Sequence, residues 1–510
     1  MILLIKKLIF VFIIFKFKSN KNLSYNDLNF RKIDYTNYEQ VKSYIFKKNF
    51  YKNNNKNIHS FDFLNFSNKL GGKIGINLSK ESVFGWFKIN KNKLVFPWIE
   101  DLQSKRLINL LYNYEYINSS SNSKDKKKLD SIIYFHIRRV LFDFNNKKIT
   151  QITSFDIIGY VLSCFITKRI NIKNIEYAKF ISVNQVDKLG MHKSYNVLEH
   201  SKFINNLNEI KNIFLFYQYK EANIFDELIL KMTSVLNEYF HKDGSIPLFN
   251  GSNNIYTKEI YNSLNKERFL KKRIFANVDN GIAFYADKNK KVFFDVVQPN
   301  KDMISSNLSA GTLSLELSGF GEKIFTNCGA SENFGKNPEY LRYSAAHSTI
   351  ILQNTNISEI KEGNPHVKYP QSVVFRRETN TSEEIFEGSH NGYLNKFKKI
   401  IKRKLIINKN FDKLEGEDSF ISYKGTAKRL VYHIRFHLNH GMVFNFTNSK
   451  KNIILKTSLN NIWLFKSDME LIVEDSIIVD NNSTKPSKQI VIKGILSDRK
   501  IIRKWSLQKI

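Results

Sequence analysis

The chain has 510 residues, 42% of them hydrophobic and 14% aromatic, which is enough apolar material for more than one packed core and excludes a globally disordered polypeptide. A formal net charge of +33 draws polyanions of any kind, but Lys and Arg run from end to end among Asn, Ile and Phe, and no zinc-finger, RNP-like or helix-turn-helix signature accompanies them, so a specific nucleic-acid partner is not expected. The two cysteines, Cys164 and Cys328, exclude a disulfide framework and fit buried thiols.

The apolar run from Leu8 to Phe15, after Lys6 and Lys7, is too short to span a bilayer. It reads either as a signal-peptide core or as a segment packed on the body, and Lys16, Lys18 and Ser19 leave no small-residue cleavage site behind it. Residues 21 to 100 look irregular, with a solvated Asn/Lys run at 52 to 57 and Trp86 and Trp98 as anchors. The period then turns helical. Leu129, Ile132, Ile133, His136, Ile137, Val140, Leu141 and Phe144 recur at three-to-four spacing, and similar stretches fill 105 to 117, 152 to 167, 199 to 219 and 223 to 241. Short polar connectors between them suit antiparallel helix pairs. Asp243-Gly244-Ser245 and Pro247 end the last helix, and a Lys-rich linker over 258 to 273 sets a domain boundary near 265. From Gly281 onward short strands and turns follow one another without helices, which means stacked antiparallel sheets; no later stretch is apolar enough for a membrane span.

Residues 307 to 352 carry the densest signal. Thr312 to Leu317 alternate as a strand with one buried face; Gly319 and Gly321 turn the chain into Lys323-Ile324-Phe325-Thr326; Asn327-Cys328-Gly329 breaks that strand. After a loop holding Tyr340, Arg342 and Tyr343, Ala345-Ala346-His347 opens a third strand over 348 to 352. This order resembles the C-terminal domain of the heparinase II/III-like polysaccharide lyases. The resemblance runs on through Ser389-His390-Asn391-Gly392-Tyr393-Leu394, a basic strand at 398 to 407, and His433 to Leu438, and covers most of 278 to 440. Upstream it rests on Gly190 to Asn196 and Gly244 to Gly251. It implies an α+β two-domain chain, with an N-terminal incomplete α/α toroid over 21–265 and a C-terminal antiparallel β-sandwich over 266–510. It further implies a lyase that cleaves a uronate-containing acidic polysaccharide by β-elimination in the cleft between them, without an organic cofactor, in the cell envelope or periplasm, with the cytoplasm as the alternative.

Such a lyase must neutralise a uronate carboxylate, remove the proton on the adjacent carbon and protonate the departing oxygen. His192-Lys193-Ser194-Tyr195-Asn196 follows a Leu-Gly turn and supplies those residue types within five positions, so His192, Tyr195 and Asn196 are the candidate catalytic groups, presented by the helical domain. His347 sits where family members place a histidine that in some of them helps bind a structural metal. Ser309 and Asn327 stand where the better-studied lyases have His and Asp, and a hydroxyl and an amide beside one imidazole make a poor transition-metal site, so no zinc is expected. His347, His390, Tyr393, His433, Arg435 and His437 are the candidate substrate-binding groups; alternation puts 433, 435 and 437 on one strand face, as a carboxylate-binding strip or simply as an exposed polar face. Arg435 and the His192 loop should then share a cleft. The Ser309 and Asn327 departures leave a second reading, a carbohydrate-binding or envelope-maintenance protein that keeps the fold without turnover. Glu316 and Glu322, or Glu415, Glu417 and Asp418, match a glycosidase acid pair by residue type alone but read as solvated groups beside hairpin turns, and no P-loop, dinucleotide fingerprint or Gly-x-Ser-x-Gly elbow occurs.

Overall fold

The computed structural model describes residues 36, 38–52, 56–99, 101–254, 281–299, 308–331, 339–360, 368–423, 429–480 and 483–510. The apolar N-terminal run and the expected boundary at 265 lie outside them. Contacts divide the chain into two compact units, one reaching Val186 and taking in 202–230, the other made of 187–201 and everything from Lys231. Among the described residues no helix is long and apolar enough to cross a membrane.

The first unit is helical. The strongest predicted helix runs from Ser123 to Asn146, capped by Asn122 accepting from the Asp125 N–H, and buries Leu129, Ile132, Ile133, His136, Ile137, Val140 and Phe144, while Leu141 stays half-buried. It packs on the helix Ser154–Ile166, which opens with a reciprocal Thr153/Asp156 capping box. The region expected to be irregular holds a 19-residue helix, Gly72–Asn90. Its buried face is Gly75, Ser79, Ser82, Val83, Trp86 and Asn90, spaced as a helix should be but made mostly of small and polar residues, which a search for hydrophobic periodicity passes over. The small residues are there for close approach: a Cβ on Gly75 would lie 2.3 Å from the Ser67 carbonyl oxygen.

Trp86 and Trp98 do anchor this unit, around a cation. Arg106, fully buried, lies with its guanidinium 4.5 Å from each indole, donates to the His59 and Pro97 carbonyls at 2.5 and 3.1 Å, and points Nε at His136 Nε2, 3.3 Å away. Its charge rests on π faces and carbonyl dipoles, and burial, with Arg139 close by, pulls its pKa well below the usual arginine value.

The second unit is built on two antiparallel sheets. In chain order the strands are β1 (Gly281–Ala286), β2 (Lys290–Val296), β3 (Leu315–Gly319), β4 (Glu322–Thr326), β5 (Ile350–Leu352), β6 (Val373–Thr379), β7 (Glu383–His390), β8 (Lys399–Asn408), β9 (Lys413–Ser422), β10 (Leu430–Leu438), β11 (Val443–Phe446), β12 (Asn452–Lys456), β13 (Ile462–Ser467), β14 (Leu471–Asp480), β15 (Ser483–Leu496) and β16 (Lys500–Lys509). The first sheet runs β1-β2-β3-β4-β10-β15-β14 with β5 on β10; the second runs β11-β12-β13-β16-β9-β8-β7-β6. Phe294, Leu317 and Phe436 from the first sheet and Phe386, Leu405 and Trp505 from the second share one core. Within it Arg403 on β8 grips Asp418 on β9 through two bonds of 2.7 and 3.0 Å and donates to the carbonyls of Leu313 and Ser348, which precede strands of the opposite sheet. Asp418 is therefore a buried partner and not the solvated acid expected, because its side of β9 faces the core. On the outer face of the second sheet the cross-strand neighbours Arg376, Glu387, Lys404, Glu417 and Lys504 alternate in charge across five strands.

Arg106→Ala should lower the unfolding free energy of the helical unit by about 3–4 kcal/mol, since it leaves two indoles and two carbonyls without their partner, while Arg106→Met should cost less than half of that. Urea unfolding followed by tryptophan fluorescence checks it, and equal losses in the two variants would show that the charge, and not the stacking, is what the site needs.

Candidate active site

Strand pairing places Ile282 and Phe284 of β1, Phe293 and Asp295 of β2, and Glu316 of β3 on the face of the first sheet turned away from the sandwich core. Both faces of β3 are buried, where one was expected, because a segment of the same unit covers this side. Tyr239 donates to the Ile282 carbonyl and stacks on Phe293; His241 packs edge-on against the same ring. Glu316, expected to be solvated, is fully buried here as the central acceptor. Its Oε2 receives His241 Nε2 and Lys323 Nζ at 2.9 and 3.1 Å, and its Oε1 receives the Leu248 and Asn327 N–H groups and the Asn327 side-chain amide at 3.0, 3.1 and 2.9 Å. Burial works against its charge, but Lys323 and then His241 outweigh it and hold the carboxyl down at about 2. Asn327 turns its other amide atom to the Ser348 N–H at 2.9 Å, so this position needs an amide that donates on one side and accepts on the other; an aspartate would set a second carboxylate against Glu316.

Contacts assign the His192 loop to this unit and not to the helical one as expected. Asp187 shapes it by accepting the Leu189 and Met191 N–H groups, and Gly190, at φ +98°, packs against Lys231 and Val235. His192 is buried, with Nδ1 accepting from the Ser194 N–H at 3.3 Å and lying 2.8 Å from Ser194 Oγ; burial and then Lys193 lower its pKa to about 4. Tyr195 sits at φ +49° with its ring against Gly281, whose Cβ would fall 2.8 Å from it, and donates its hydroxyl to Asp187 at 3.2 Å. Burial and then Asp187 push its pKa up, so the phenol stays protonated. The Asn196 amide is engaged at both ends, accepting from the Glu199 N–H and Ser252 Oγ and donating to the Asn250 carbonyl, which makes it the cap of the helix Val197–Phe216. Asn250 links the loop to the next segment: its side chain donates to the Tyr195 carbonyl at 3.4 Å and accepts from the Ser309 N–H at 3.5 Å. Two residues on, Gly311 lies flat against the His347 imidazole, where a Cβ would come within 2.9 Å. His347 is buried with neither ring nitrogen hydrogen-bonded, and Ser314 Oγ is likewise unpartnered. Asp295, whose carboxyl accepts from the Val297 N–H, is lifted by burial to about 7. Tyr195 at positive φ and the unpartnered polar atoms of Ser314 and His347 are thus among the strained and unsatisfied groups at this site.

The remaining predicted groups divide. His433, Arg435 and His437 share the outer face of the first sheet, as alternation requires, since Ile434 and Phe436 are core residues. They are not an open strip. His437 is held by Ser476 Oγ at 2.7 Å and the Ala345 carbonyl at 3.0 Å, and Arg435 Nη1 by Glu474 and Gln489 at 2.7 and 3.0 Å. His390 and Tyr393 lie inside the sandwich, where Tyr393 donates to the Thr355 carbonyl and joins the core, because β7 turns its even-numbered residues inward. They are corrected from substrate-binding to core residues. Asp187, Asn250 and Asp295 were missed by the sequence reading, Asn250 alone among them having a signal, within the Gly244 to Gly251 motif; Glu316 was noticed but read as solvated. Among the described residues no group of three or more His, Cys, Asp or Glu side chains is arranged to hold a metal ion.

Of the seven buried histidines among the described residues of this unit, all with lowered pKa values, six are lowered far, His192, His241 and His347 to about 4 and His200, His390 and His437 to about 3, mainly through desolvation. The unfolded chain takes up protons at these sites below about pH 6.5 and the folded one does not, so stability falls with pH by up to about 1.4 kcal/mol per unit per histidine until the folded values are reached. Asp295, raised instead of lowered, works in the opposite direction between about 4 and 7 and offsets only one of the six. The unit should therefore lose most of its stability between pH 6.5 and 4.5, read as the urea midpoint; a flat profile across that window would contradict the burial of neutral imidazoles.

Residues 271–506 match the family model described as heparinase II/III-like, C-terminal. No curated protein matches the chain in sequence. Among solved structures, a crystal structure of heparinase III is similar with a TM-score of 0.74 at 12% identity, over 99% of this chain and 88% of that one. A second heparinase III gene product gives 0.66 at 11% over 97% and 87%. The heparan sulfate lyase HepC from Pedobacter heparinus gives 0.59 at 12% over 99% and 87%. At such identities the likeness establishes the fold, a helical region followed by a two-sheet antiparallel sandwich. Residues 271–506 are thus similar to the heparinase II/III-like C-terminal domain, and the chain shares the fold of the heparinase III structures.

Proposed function

We propose that the protein is a polysaccharide lyase that cleaves a uronate-containing acidic polysaccharide by β-elimination, in the cell envelope or periplasm. The observation that supports this best is the pairing, on one loop, of a buried neutral imidazole with a phenol kept protonated by a carboxylate. His192 takes the proton from the carbon beside the uronate carboxylate at Nδ1, releasing the Ser194 N–H to free that lone pair, the carbon–oxygen bond to the leaving sugar breaks as the double bond forms, and Tyr195 gives its proton to the departing oxygen. Asp187 aims the phenol. Asn196, fully engaged within the fold, is a positioning residue, and the unpartnered imidazole of His347 is the group left to bind the carboxylate. Glycosaminoglycans are the first polymers to try, since a heparan sulfate lyase is among the similar structures.

A second reading, binding without turnover, is favoured by the occupied Asn196 amide and by Ser309 in place of a side chain with acid–base capacity. Absorbance of the unsaturated uronate product separates the two. On the lyase reading His192→Ala abolishes the signal, and Tyr195→Phe lowers kcat by about 10²–10⁴ with little change in KM, because the phenol matters only once the leaving oxygen carries charge. Silence of the wild type across glycosaminoglycans and alginate, with binding retained, would favour the second.

A further inference from the structure

The geometry points to an anion subsite on the first sheet formed by His433, Arg435 and Lys493, in which Glu474 is a built-in counter-ion that an incoming sulfate ester or carboxylate displaces. His433 on β10 and Lys493 on β15 are direct cross-strand partners, so their side chains share a face, and Arg435 lies two residues along the same face. Lys493 is exposed. His433 is only 6% exposed, yet its Nδ1 is buried without a hydrogen-bond partner, and so is Arg435 Nε. Two buried nitrogens without acceptors beside an exposed ammonium are incomplete as protein structure and complete as a cradle for a compact oxyanion. The acceptors now present serve only the far side of the guanidinium: Glu474 and Gln489 both bind Nη1. Glu474, its side chain 39% exposed against 13% for Arg435, is free to swing toward solvent when another anion takes its place. Two cations, Arg435 and Lys493, against one half-exposed carboxylate leave a positive balance after that exchange, and His433, kept neutral by burial and then by Arg435, adds a ring N–H donor.

The inference takes from the polysaccharide reading only the identity of the ligand, an oxyanion carried on a sugar, and its test does not use turnover. The full chain labelled on its histidine rings is titrated with inorganic sulfate, with glucuronate and with chloride at matched ionic strength. Sulfate or glucuronate, but not chloride, should shift the His433 ring resonances. Glu474→Gln should tighten that binding about tenfold and Lys493→Gln weaken it about threefold, opposite signs that a purely structural ion pair would not give. Lys493 is exposed, so its substitution does not put folding at issue. A shift with sulfate alone assigns the subsite to sulfate esters, and one with glucuronate alone to uronates. Unmoved His433 resonances, or a Glu474→Gln variant that binds no more tightly, would overturn the proposal, and neither result would touch the assignment of His192 and Tyr195.

Discussion

A single carboxylate with no access to water organises the second unit. Glu316 is tolerable in the interior only because five donors converge on it from four parts of the chain: the turn after Tyr239, the approach to Asn250, β4, and Asn327 just beyond it, which gives two. Taking a charge out of water is costly enough that the surrounding groups must be in register together or not at all. The covering segment is thereby fixed to the sheet at His241 and Leu248, and Asn250, two residues further, is delivered to the His192 loop. The placement of the candidate chemistry is thus a consequence of an ionic constraint some distance from it.

The same logic separates what could be read in the sequence from what could not. Helices whose buried face is aliphatic, such as Ser123–Asn146, announce themselves; Gly72–Asn90, whose buried face is glycine, serine and asparagine around one tryptophan, does not. The strand-rich half was legible in kind and order because alternation and glycine turns are local properties. The side chains of Glu316 and Asp418 were misjudged for one reason: whether a polar residue faces water depends on what covers the sheet, and their partners, His241 and Arg403, lie elsewhere in the sequence. Alternation correctly gathered His433, Arg435 and His437 on one face, but it carries no information about Glu474, Gln489 and Ser476, which come from neighbouring strands to occupy two of them.

The His192 loop shows a different limit. Its residue types and turn were visible, and the structure adds orientation: Asp187 on the phenol, Gly281 against the ring, Asn250 bridging to Ser309 in the segment whose Gly311 lies against His347. None of these partners is near in sequence except Asp187. Two neighbouring residues, Tyr195 and Asn250, hold left-handed backbone conformations that L-residues adopt only at a cost, and the hydrogen bond between them fixes both.

The order of the strands has a consequence for how the molecule is made. β10 is the hinge of the first sheet, pairing with β4 and β5 on one side and β15 on the other, and β16, later in sequence than any other strand described, sits in the interior of the second sheet between β13 and β9. Until that segment has left the ribosome the two halves of the second sheet have nothing to join them, and β4 waits for a partner more than a hundred residues away with apolar faces uncovered. Closing such distant pairings is slow and leaves strand edges open meanwhile. The sandwich therefore closes only once β16 has joined β13 and β9, and until then its strand edges and apolar faces stay open.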